Sequence, residues 1–310
     1  MTLLDDGGPR LLKGGPIAAD VRATVAADVA AFKEEHGYTP ELAVVIVGRD
    51  APSTVYLHKI LDGCRLVGIQ DRLVELGDDC PAEALGREIL ALGAERAVAG
   101  IIVQQPLPPG IPLRVVIDTL DPAKDIDGIH PLNAGLLSLG YDGFLPATAH
   151  AAVELLKRSG VALAGRRAVV VGRSNVIGKP AAFLLLREHA TVTICHSRTP
   201  DLGAILGEAD VVVVATGRPG LVTGEMLKPG AVVVDVGINV VEGHLVGDVD
   251  FNSAARVVSA ITPVPGGVGP LTNAILLTHL VWAARNQAEG RTAPGAGSLR
   301  PSISTSQPAR

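Results

Sequence analysis

Phosphate binding is the first chemistry that residue types and spacing suggest. The apolar run Arg167–Val171 leads into Gly172, Arg173 and Ser174, and Gly178 precedes a segment with helical periodicity. Glycines let a ligand approach the backbone, and the free N–H groups of a helix N-terminus attract a phosphate. The spacing is G-x-S-x-x-x-G rather than the usual G-x-G-x-x-G. An ordinary strand-to-helix turn therefore explains this motif equally well on its own.

The residues after the next apolar run distinguish between two dinucleotides. Thr191–Cys195 is followed by His196, Ser197 and Arg198. An NAD site usually carries Asp or Glu here for the ribose hydroxyls, whereas the extra phosphate of NADP needs hydroxyl and cationic donors. No acid is present, and Arg173 adds a second cation. The sequence thus predicts NADP as the cofactor, with His196 interpreted as a capping or solvated histidine.

Two later runs and a constrained loop extend this site. VVVVATGRPG and VVVDVGIN place Gly217, Gly237, Ile238 and Asn239 at strand ends, where they could flank the nicotinamide ring. The loop 262–270, TPVPGGVGP, has three Pro and three Gly in nine positions. It is either a linker or, as its stiffness favours, a wall of the binding site.

Candidate substrate residues lie in the first half of the chain. Tyr56 follows a strand-end loop and could stack on a flat heterocycle, although a buried tyrosine is an equal alternative. Gln104 ends the run GIIVQ. Asp125 and Asp127 lie in KDIDG, where a carboxylate could accept from a guanidine-like ring edge or simply form a turn.

The elements that must position these residues alternate between strands and helices. Short Val/Ile runs separated by helical segments indicate an α/β fold with parallel strands covered on both faces. Residues 121–150 are rich in Gly and Pro and mark a domain junction. We predict one domain from 11–145 plus 273–288, a doubly wound domain at 146–272 and a disordered tail at 289–310. The predicted strands are Leu42–Val47, Arg72–Leu76, Val98–Val103, Arg167–Val171, Thr191–Cys195, Val211–Ala215, Ala231–Val236 and Val257–Ile261; the predicted helices are Pro16–His36, Thr54–Val67, Ala82–Leu92 and Leu271–Asn286.

Composition narrows the class of protein. The 310 residues include 27 Lys and Arg against 32 Asp and Glu, so a nucleic-acid partner is not expected. Cys64, Cys80 and Cys195 lack disulfide or metal-ligand spacing, which predicts free thiols and no metal site. The apolar runs are strand-length, and the acidic, Gly-rich start does not resemble a secretory signal. We expect a cytoplasmic protein without a membrane segment.

Taken together, these segments resemble the FolD family, the methylenetetrahydrofolate dehydrogenase/cyclohydrolases. The resemblance covers about residues 11–285, and its longest peptides are GIIVQQPLP, KDIDGIHPLNAG, VVVGRSNVIGKP, TVTICHSRT, VVVDVGIN, VGDV and ITPVPGGVGP. It implies a homodimer, NADP as cofactor, a Rossmann-like NADP domain, and a cleft for tetrahydrofolate one-carbon derivatives between the domains. It also implies oxidation of 5,10-methylenetetrahydrofolate, followed by hydrolysis of the methenyl product to 10-formyltetrahydrofolate.

The resemblance also assigns residues. Tyr56, Gln104 and Asp127 match the family's folate and catalytic positions. The candidate cofactor set is Gly172, Arg173, Ser174, Ser197, Arg198, Gly217, Gly237 and Ile238, and Pro265, Gly266 and Gly267 join the substrate-binding candidates.

A catalytic residue of the family is replaced. The catalytic lysine four residues after the tyrosine is here Ile60, and Lys59 lies one position early. We interpret Lys59 as a solvated helix residue. The alternative is that Lys59 acts as a substitute catalyst. Hydride transfer needs mainly positioning, whereas hydrolysis needs managed proton transfers, so we expect weak or absent cyclohydrolase activity. The alternatives are a fully bifunctional enzyme using Lys59 or water, and a non-catalytic folate/NADP-binding paralogue.

Overall fold

The computed structural model describes residues 8–48 and 51–291, except for the side chains of residues 51–56, and divides them into two compact units. The N-terminal unit takes residues 19–145 and those from 273 onward; the C-terminal unit takes those up to 18 together with 146–272. The strands are β1 (Arg10–Leu11), β2 (Glu41–Val47), β3 (Gln70–Leu76), β4 (Val98–Val103), β5 (Arg167–Val171), β6 (Thr191–Cys195), β7 (Val211–Val214), β8 (Val232–Asp235), β9 (Asn239–Val241), β10 (His244–Val246) and β11 (Ala260–Ile261). The α-helices are α1 (Gly14–His36), α2 (Ala51–Val67), α3 (Ala82–Ala94), α4 (Arg114–Thr119), α5 (Pro131–Leu139), α6 (Ala147–Arg158), α7 (Gly178–Arg187), α8 (Leu202–Leu206), α9 (Phe251–Ala254) and α10 (Val268–Ala288).

The N-terminal unit contains a parallel sheet in the order β3-β2-β4. Every residue of the central strand β2 is buried, as expected for an apolar run covered on both faces. Leu85, Ile89 and Leu92 of α3 pack in the same apolar cluster as Val45. This packing fixes the carboxyl edge of the sheet, where Gln104 follows β4.

The C-terminal unit contains a six-stranded parallel sheet in the order β1-β11-β8-β7-β5-β6. The chain runs from β5 outward to β6, and then returns to place β7 on the other side of β5. This reversal is the topological switch point at which doubly wound sheets bind ligands beyond the strand ends. The predicted α/β class and the Rossmann-like second domain are confirmed.

The structure corrects the predicted elements in three places. Arg10 and Leu11 pair with Ala260 and Ile261 as the additional strand β1, and residues up to 18 cluster with the C-terminal unit. The predicted strand Val257–Ile261 shrinks to β11, because the amides of Val257 and Val258 turn back to the carbonyl of Ala254.

The third correction is α5, a helix inside the segment that was interpreted as a junction. His130 Nδ1 accepts from the Leu132 amide, Pro131 occupies the first turn, and Gly140 ends the helix with a φ of 79°. Pro at the start and Gly just past the end are the expected boundary signals.

Two further observations concern the C-terminal end of the chain and the length and polarity of the helices. α10 ends at Ala288, and residues 292–310 of the predicted tail lie outside the described residues. Within the described chain, each helix is too short or too polar to cross a bilayer.

Candidate functional site

The turn after β5 depends on two glycines. Gly172 has a φ of +135°, and a Cβ at this position would collide with the carbonyl oxygen of Ala215. A Cβ on Gly178 would likewise collide with the carbonyl of Gly172. Neighbouring backbone thus fills the space that a side chain would need at both positions, and only glycine allows so tight a turn.

Ser174 closes this turn through its hydroxyl. Its Oγ accepts from the amides of Ile177 and Gly178, at 3.1 and 3.2 Å. Two of the donors at the start of α7 are therefore engaged by a side chain. The exposed guanidinium of Arg173 is the cationic donor that the turn presents to solvent.

The turn after β6 lies beside the Gly172 turn. Cys195 is the register partner of Val171, and its carbonyl accepts from the Gly172 amide at 2.8 Å. Thr199 Oγ1 accepts from the His196 amide at 2.9 Å, and His196 Nδ1 accepts from the Arg198 amide at 3.1 Å. His196 thus caps the turn.

Ser197 and Arg198 are both exposed at this turn. The structure therefore brings the hydroxyl and the cation predicted for the cofactor to the strand end next to Arg173. Because the strands are parallel neighbours, these donors line one edge of the sheet.

The loops after β7 and β8 bring the remaining cofactor candidates to the same edge. Gly217 has a φ of 66°, Gly237 is buried, and the side chain of Ile238 is 67 % exposed. Two buried carboxylates that the sequence reasoning did not single out, Asp235 and Asp248, bond to these loops. An acidic residue inside each of the apolar peptides VVVD and VGDV was the signal that could have identified them.

Burial affects the chemistry of Asp235. Loss of solvent raises its pKa to about 6, although three backbone amides stabilise the carboxylate. The neighbouring carboxylate of Asp248 raises this pKa further.

The Pro/Gly loop is anchored at its first residue and at its middle within the C-terminal unit. Thr262 Oγ1 accepts from the Asp235 amide at 2.7 Å, and the Gly266 carbonyl accepts from the Gly14 amide at 3.0 Å. Pro265 and Gly266 are exposed, and Gly267 is buried. The loop is therefore a fixed wall with an accessible tip.

In the N-terminal unit, Gln104 occupies the carboxyl end of β4. Its amide donates to the Val45 carbonyl at 2.8 Å, which continues the sheet pairing by one residue. Its half-buried side chain donates only a long bond, 3.3 Å, to the Gln105 carbonyl. That amide is thus available for stronger hydrogen bonds with a ligand.

The two aspartates of the 125–127 turn have different environments. Asp125 is fully buried and accepts from the amides of Ile129 and His130 and from Asn133 Nδ2, at 3.1, 2.8 and 2.8 Å. Burial raises its pKa to about 7. Asp127 is only half-buried. Asp125 therefore organises the turn, and Asp127 is the more accessible of the two carboxylates.

His279 is a residue of the N-terminal unit that the sequence did not reveal. Its Nδ1 lies 2.8 Å from the carbonyl oxygen of Ile126, the residue between the two aspartates. Burial lowers the pKa of this histidine to about 4, so a neutral ring donates from Nδ1. No local pattern links residues 153 positions apart in the chain.

Comparison with known proteins decides the family. Residues 12–127 match the family model of the tetrahydrofolate dehydrogenase/cyclohydrolase catalytic domain. Residues 146–288 match the model of the NAD(P)-binding domain of the same family. The chain belongs to the tetrahydrofolate dehydrogenase/cyclohydrolase family.

Individual relatives agree over nearly the whole length. The bifunctional protein FolD of Roseiflexus sp. is 50 % identical over 282 residues, which cover 91 % of this chain and 98 % of the relative. The structure of the bifunctional FolD enzyme from Campylobacter jejuni superimposes with a TM-score of 0.87 at 39 % identity, covering 89 % of this chain and 99 % of that one. The Trypanosoma brucei FolD structure, complexed with NADP cofactor and inhibitor, has a TM-score of 0.87 at 38 % identity and covers 91 % and 99 %.

The family's tyrosine and lysine positions fall on α2. Tyr56 lies in this helix, and its side chain is outside the described residues. Lys59 is exposed, and its carbonyl accepts from Asn273 Nδ2 at 2.5 Å. Ile60 is completely buried. Adjacent positions of the helix therefore present an ammonium to solvent and a branched aliphatic side chain to the core.

Proposed function

We propose that this protein oxidises 5,10-methylenetetrahydrofolate to 5,10-methenyltetrahydrofolate with NADP as the hydride acceptor. The observation that carries the proposal is the match of both family domains, with relatives at 50 % identity over most of the chain. When bound, NADP supplies the acceptor carbon. The chain's own residues then have to bind and orient the two reactants, because the lone pair of the adjacent pteridine nitrogen assists hydride departure without a protein acid.

Local geometry supports NADP. The pyrophosphate would lie at the tight turn after β5, and the exposed Arg173, Ser197 and Arg198 would supply cations and a hydroxyl for the additional phosphate. The four-residue turn 196–199 contains no acid that would repel this phosphate.

Three side chains of the N-terminal unit are proposed to bind the pterin. Asp127, presented by a turn that Asp125 and His279 hold, would accept from the guanidine-like edge of the ring. Tyr56 would stack on the ring, and the Gln104 amide would bond to its polar groups. The exposed Pro265-Gly266 tip and the adjacent Gly267 complete the proposed substrate contacts.

Removal of one charge tests this proposal. Asp127→Asn should lower kcat/KM for methylenetetrahydrofolate by at least roughly tenfold, because a charge-assisted hydrogen bond is weakened. The assay is the initial rate of NADPH formation, with Asp20→Asn, an exposed carboxylate on α1, as control. Absence of substrate-dependent NADP reduction by the unmodified protein would refute the proposed activity.

We further propose that hydrolysis to 10-formyltetrahydrofolate is weak or absent. Hydrolysis needs an activated water and a group that can accept and return protons. The buried Ile60 offers neither, and Lys59 is solvated. An isoleucine also cannot stabilise the charge that develops as water attacks.

A second candidate is a fully bifunctional enzyme. The observation in its favour is that the relatives at 46 to 50 % identity are all named bifunctional. In that case Lys59 or an ordered water would replace the missing ammonium.

We also propose a homodimer formed through the C-terminal unit. β6 is the outer strand of the described sheet, and Ile194 on this strand and Leu186 on α7 are 41 % and 59 % exposed. A second copy along this edge would pair the strand's outer hydrogen-bonding groups and cover both residues. The native mass should be about twice 31.8 kDa by light scattering, and Ile194→Lys should shift it toward one copy. A monomeric unmodified protein would contradict the proposal.

A further inference from the structure

Two buried carboxylates lie under the cofactor edge and are not used by the proposed chemistry. Asp235 ends β8 and is 4 % exposed; Asp248 follows β10 and is 0 % exposed. We call this pair the carboxylate bracket. Buried like charges are costly, so their hydrogen-bond partners should indicate what the pair achieves.

Asp248 joins the loop after β7 to the loop after β8. Its Oδ2 accepts from the Thr216 amide, the Thr216 hydroxyl and the Gly217 amide, at 2.5, 3.1 and 2.8 Å. Its Oδ1 accepts from Asn239 Nδ2 at 2.8 Å. One side chain thus fixes both loops that carry cofactor candidates.

Asp235 extends the bracket to two more segments. Its Oδ1 accepts from the amides of Gly237 and Asp248, at 2.9 and 3.0 Å, and its Oδ2 from the Val249 amide at 2.9 Å. Its own amide donates to Thr262, the first residue of the Pro/Gly loop. The loops beyond β7, β8, β10 and β11 therefore share one hydrogen-bond network.

Close packing holds the backbone at two glycines directly against the bracket. A Cβ on Gly237 would collide with the Asp248 carboxyl group, and a Cβ on Gly247 would collide with the Asp235 carboxyl group. Both glycines are required because the backbone lies directly against a carboxylate.

The bracket also sets the polarity of the surface above it. The amides of Thr216, Gly217 and Gly237 point inward to carboxylates, so they are not available to a phosphate. In a trans peptide the carbonyl points opposite to the N–H, so the carbonyls of Thr216 and Val236, which precede the Gly217 and Gly237 amides, point away from the bracket. Such a surface suits an uncharged group with N–H or O–H donors, beside the exposed Ile238.

We propose that Asp248 is a positioning residue for the carboxamide-bearing nicotinamide half of the dinucleotide. It acts by holding the 216–217 and 237–239 loops, and it does not touch the ligand itself. This inference rests on the proposed function, since it takes NADP as the ligand.

Asp248→Asn with two ligands tests the proposal. The carboxamide replaces one acceptor oxygen with a donor, so the inward amides lose their common partner. We expect the Kd of NADP to rise roughly tenfold by calorimetry, whereas the Kd of 2′,5′-ADP, which lacks the nicotinamide half, stays within about twofold. At saturating NADP, the KM for methylenetetrahydrofolate should also stay within about twofold.

The matched control is Asp250→Asn. Asp250 lies two residues away and caps α9 through the Ser253 amide, away from both loops. It should leave both Kd values unchanged. If Asp248→Asn does not fold, Asn239→Ala removes one bond of the bracket and should raise the Kd of NADP about threefold without affecting 2′,5′-ADP.

Three results would overturn the inference. In a folded Asp248→Asn protein, an NADP Kd within twofold of the original would show that the bracket only stabilises the fold. Equal weakening of NADP and 2′,5′-ADP binding would show a general disturbance of the unit. An unchanged NADP Kd in Asn239→Ala would also overturn the inference, because the loss of one bond of the bracket would then not affect the nicotinamide half. Failure of the unmodified protein to bind either ligand would instead refute the proposed function.

Discussion

Ile60 and Lys59 are neighbours in the chain with opposite environments, one fully buried and one exposed. A helix turns by about 100° per residue, so a shift of one position moves a side chain to another face. Lys59 therefore does not reproduce the place of a lysine at position 60, and its long stem favours solvation of the ammonium.

Substitution of each residue tests which of the two determines the rate of hydrolysis. Ile60→Lys should raise the rate of methenyl hydrolysis above that of Ile60→Met, which has a similar length without the ammonium. It should also lower Tm, because a buried ammonium costs about 2 kcal/mol or more. Lys59→Ala should keep hydrolysis within about twofold, and its loss in this variant would identify Lys59 as the catalyst.

Asp125 should make stability depend on pH. Its pKa rises from 3.8 in a model compound to about 7 in the fold, so its contribution to stability is fully present below about pH 4 and is lost as pH rises through 7. Asp125→Asn has no charge to desolvate. The difference in unfolding free energy between the unmodified protein and the less stable Asp125→Asn should therefore shrink by at least about 1 kcal/mol from pH 4.5 to 7.5. We call this difference the deficit of the variant.

Urea unfolding at the two pH values measures this deficit. Glu95 and Asp210, whose pKa values are lowered by hydrogen bonds from Arg72 and Lys228, contribute equally to both proteins and cancel. Asp118→Asn, an exposed carboxylate on α4, is the control and should show no such trend. A deficit that stays constant or grows would show that Asp125 is not the buried titrating group.

At the scale of elements, the β6 turn should determine the preference for NADP. Arg198→Ala should raise the KM for NADP roughly tenfold and change the KM for NAD little, because the guanidinium would meet only the additional phosphate. Initial rates with each dinucleotide measure the ratio. Equal effects on both would contradict the assignment of Arg198 to the phosphate.

The strands also show which elements could be predicted from the sequence and which could not. Arg167–Val171 matches β5 because a continuous apolar run bounded by polar residues and Gly identifies a buried parallel strand. Thr191–Cys195 matches β6, a largely exposed edge strand whose Val and Ile alternate with Thr. β1 was missed because two residues carry no period, and only pairing with Ala260 and Ile261 makes them a strand.

Candidate residues show a similar division. The exposed position of Ser197 and Arg198 at a strand end was predictable because they directly follow a recognisable strand. Asp248 and His279 were not, because their partners, Thr216 and Ile126, are distant in the chain. A buried polar residue becomes informative only when the groups that satisfy its hydrogen bonds are known.

For the whole molecule, we propose that hydride transfer is retained while hydrolysis is weak or absent. The predicted cofactor edge of the C-terminal unit has a tight glycine turn, exposed cations and a fixed set of loops. We attribute the expected weakness of proton transfer to the buried aliphatic side chain at position 60 of α2.

One reaction followed at two wavelengths tests this claim most directly. The unmodified protein, NADP and methylenetetrahydrofolate should yield NADPH and the methenyl compound in equal amounts. The methenyl absorbance should then decay no faster than in a protein-free solution of the same compound. Decay that accelerates in proportion to protein concentration would contradict the claim and establish the bifunctional enzyme.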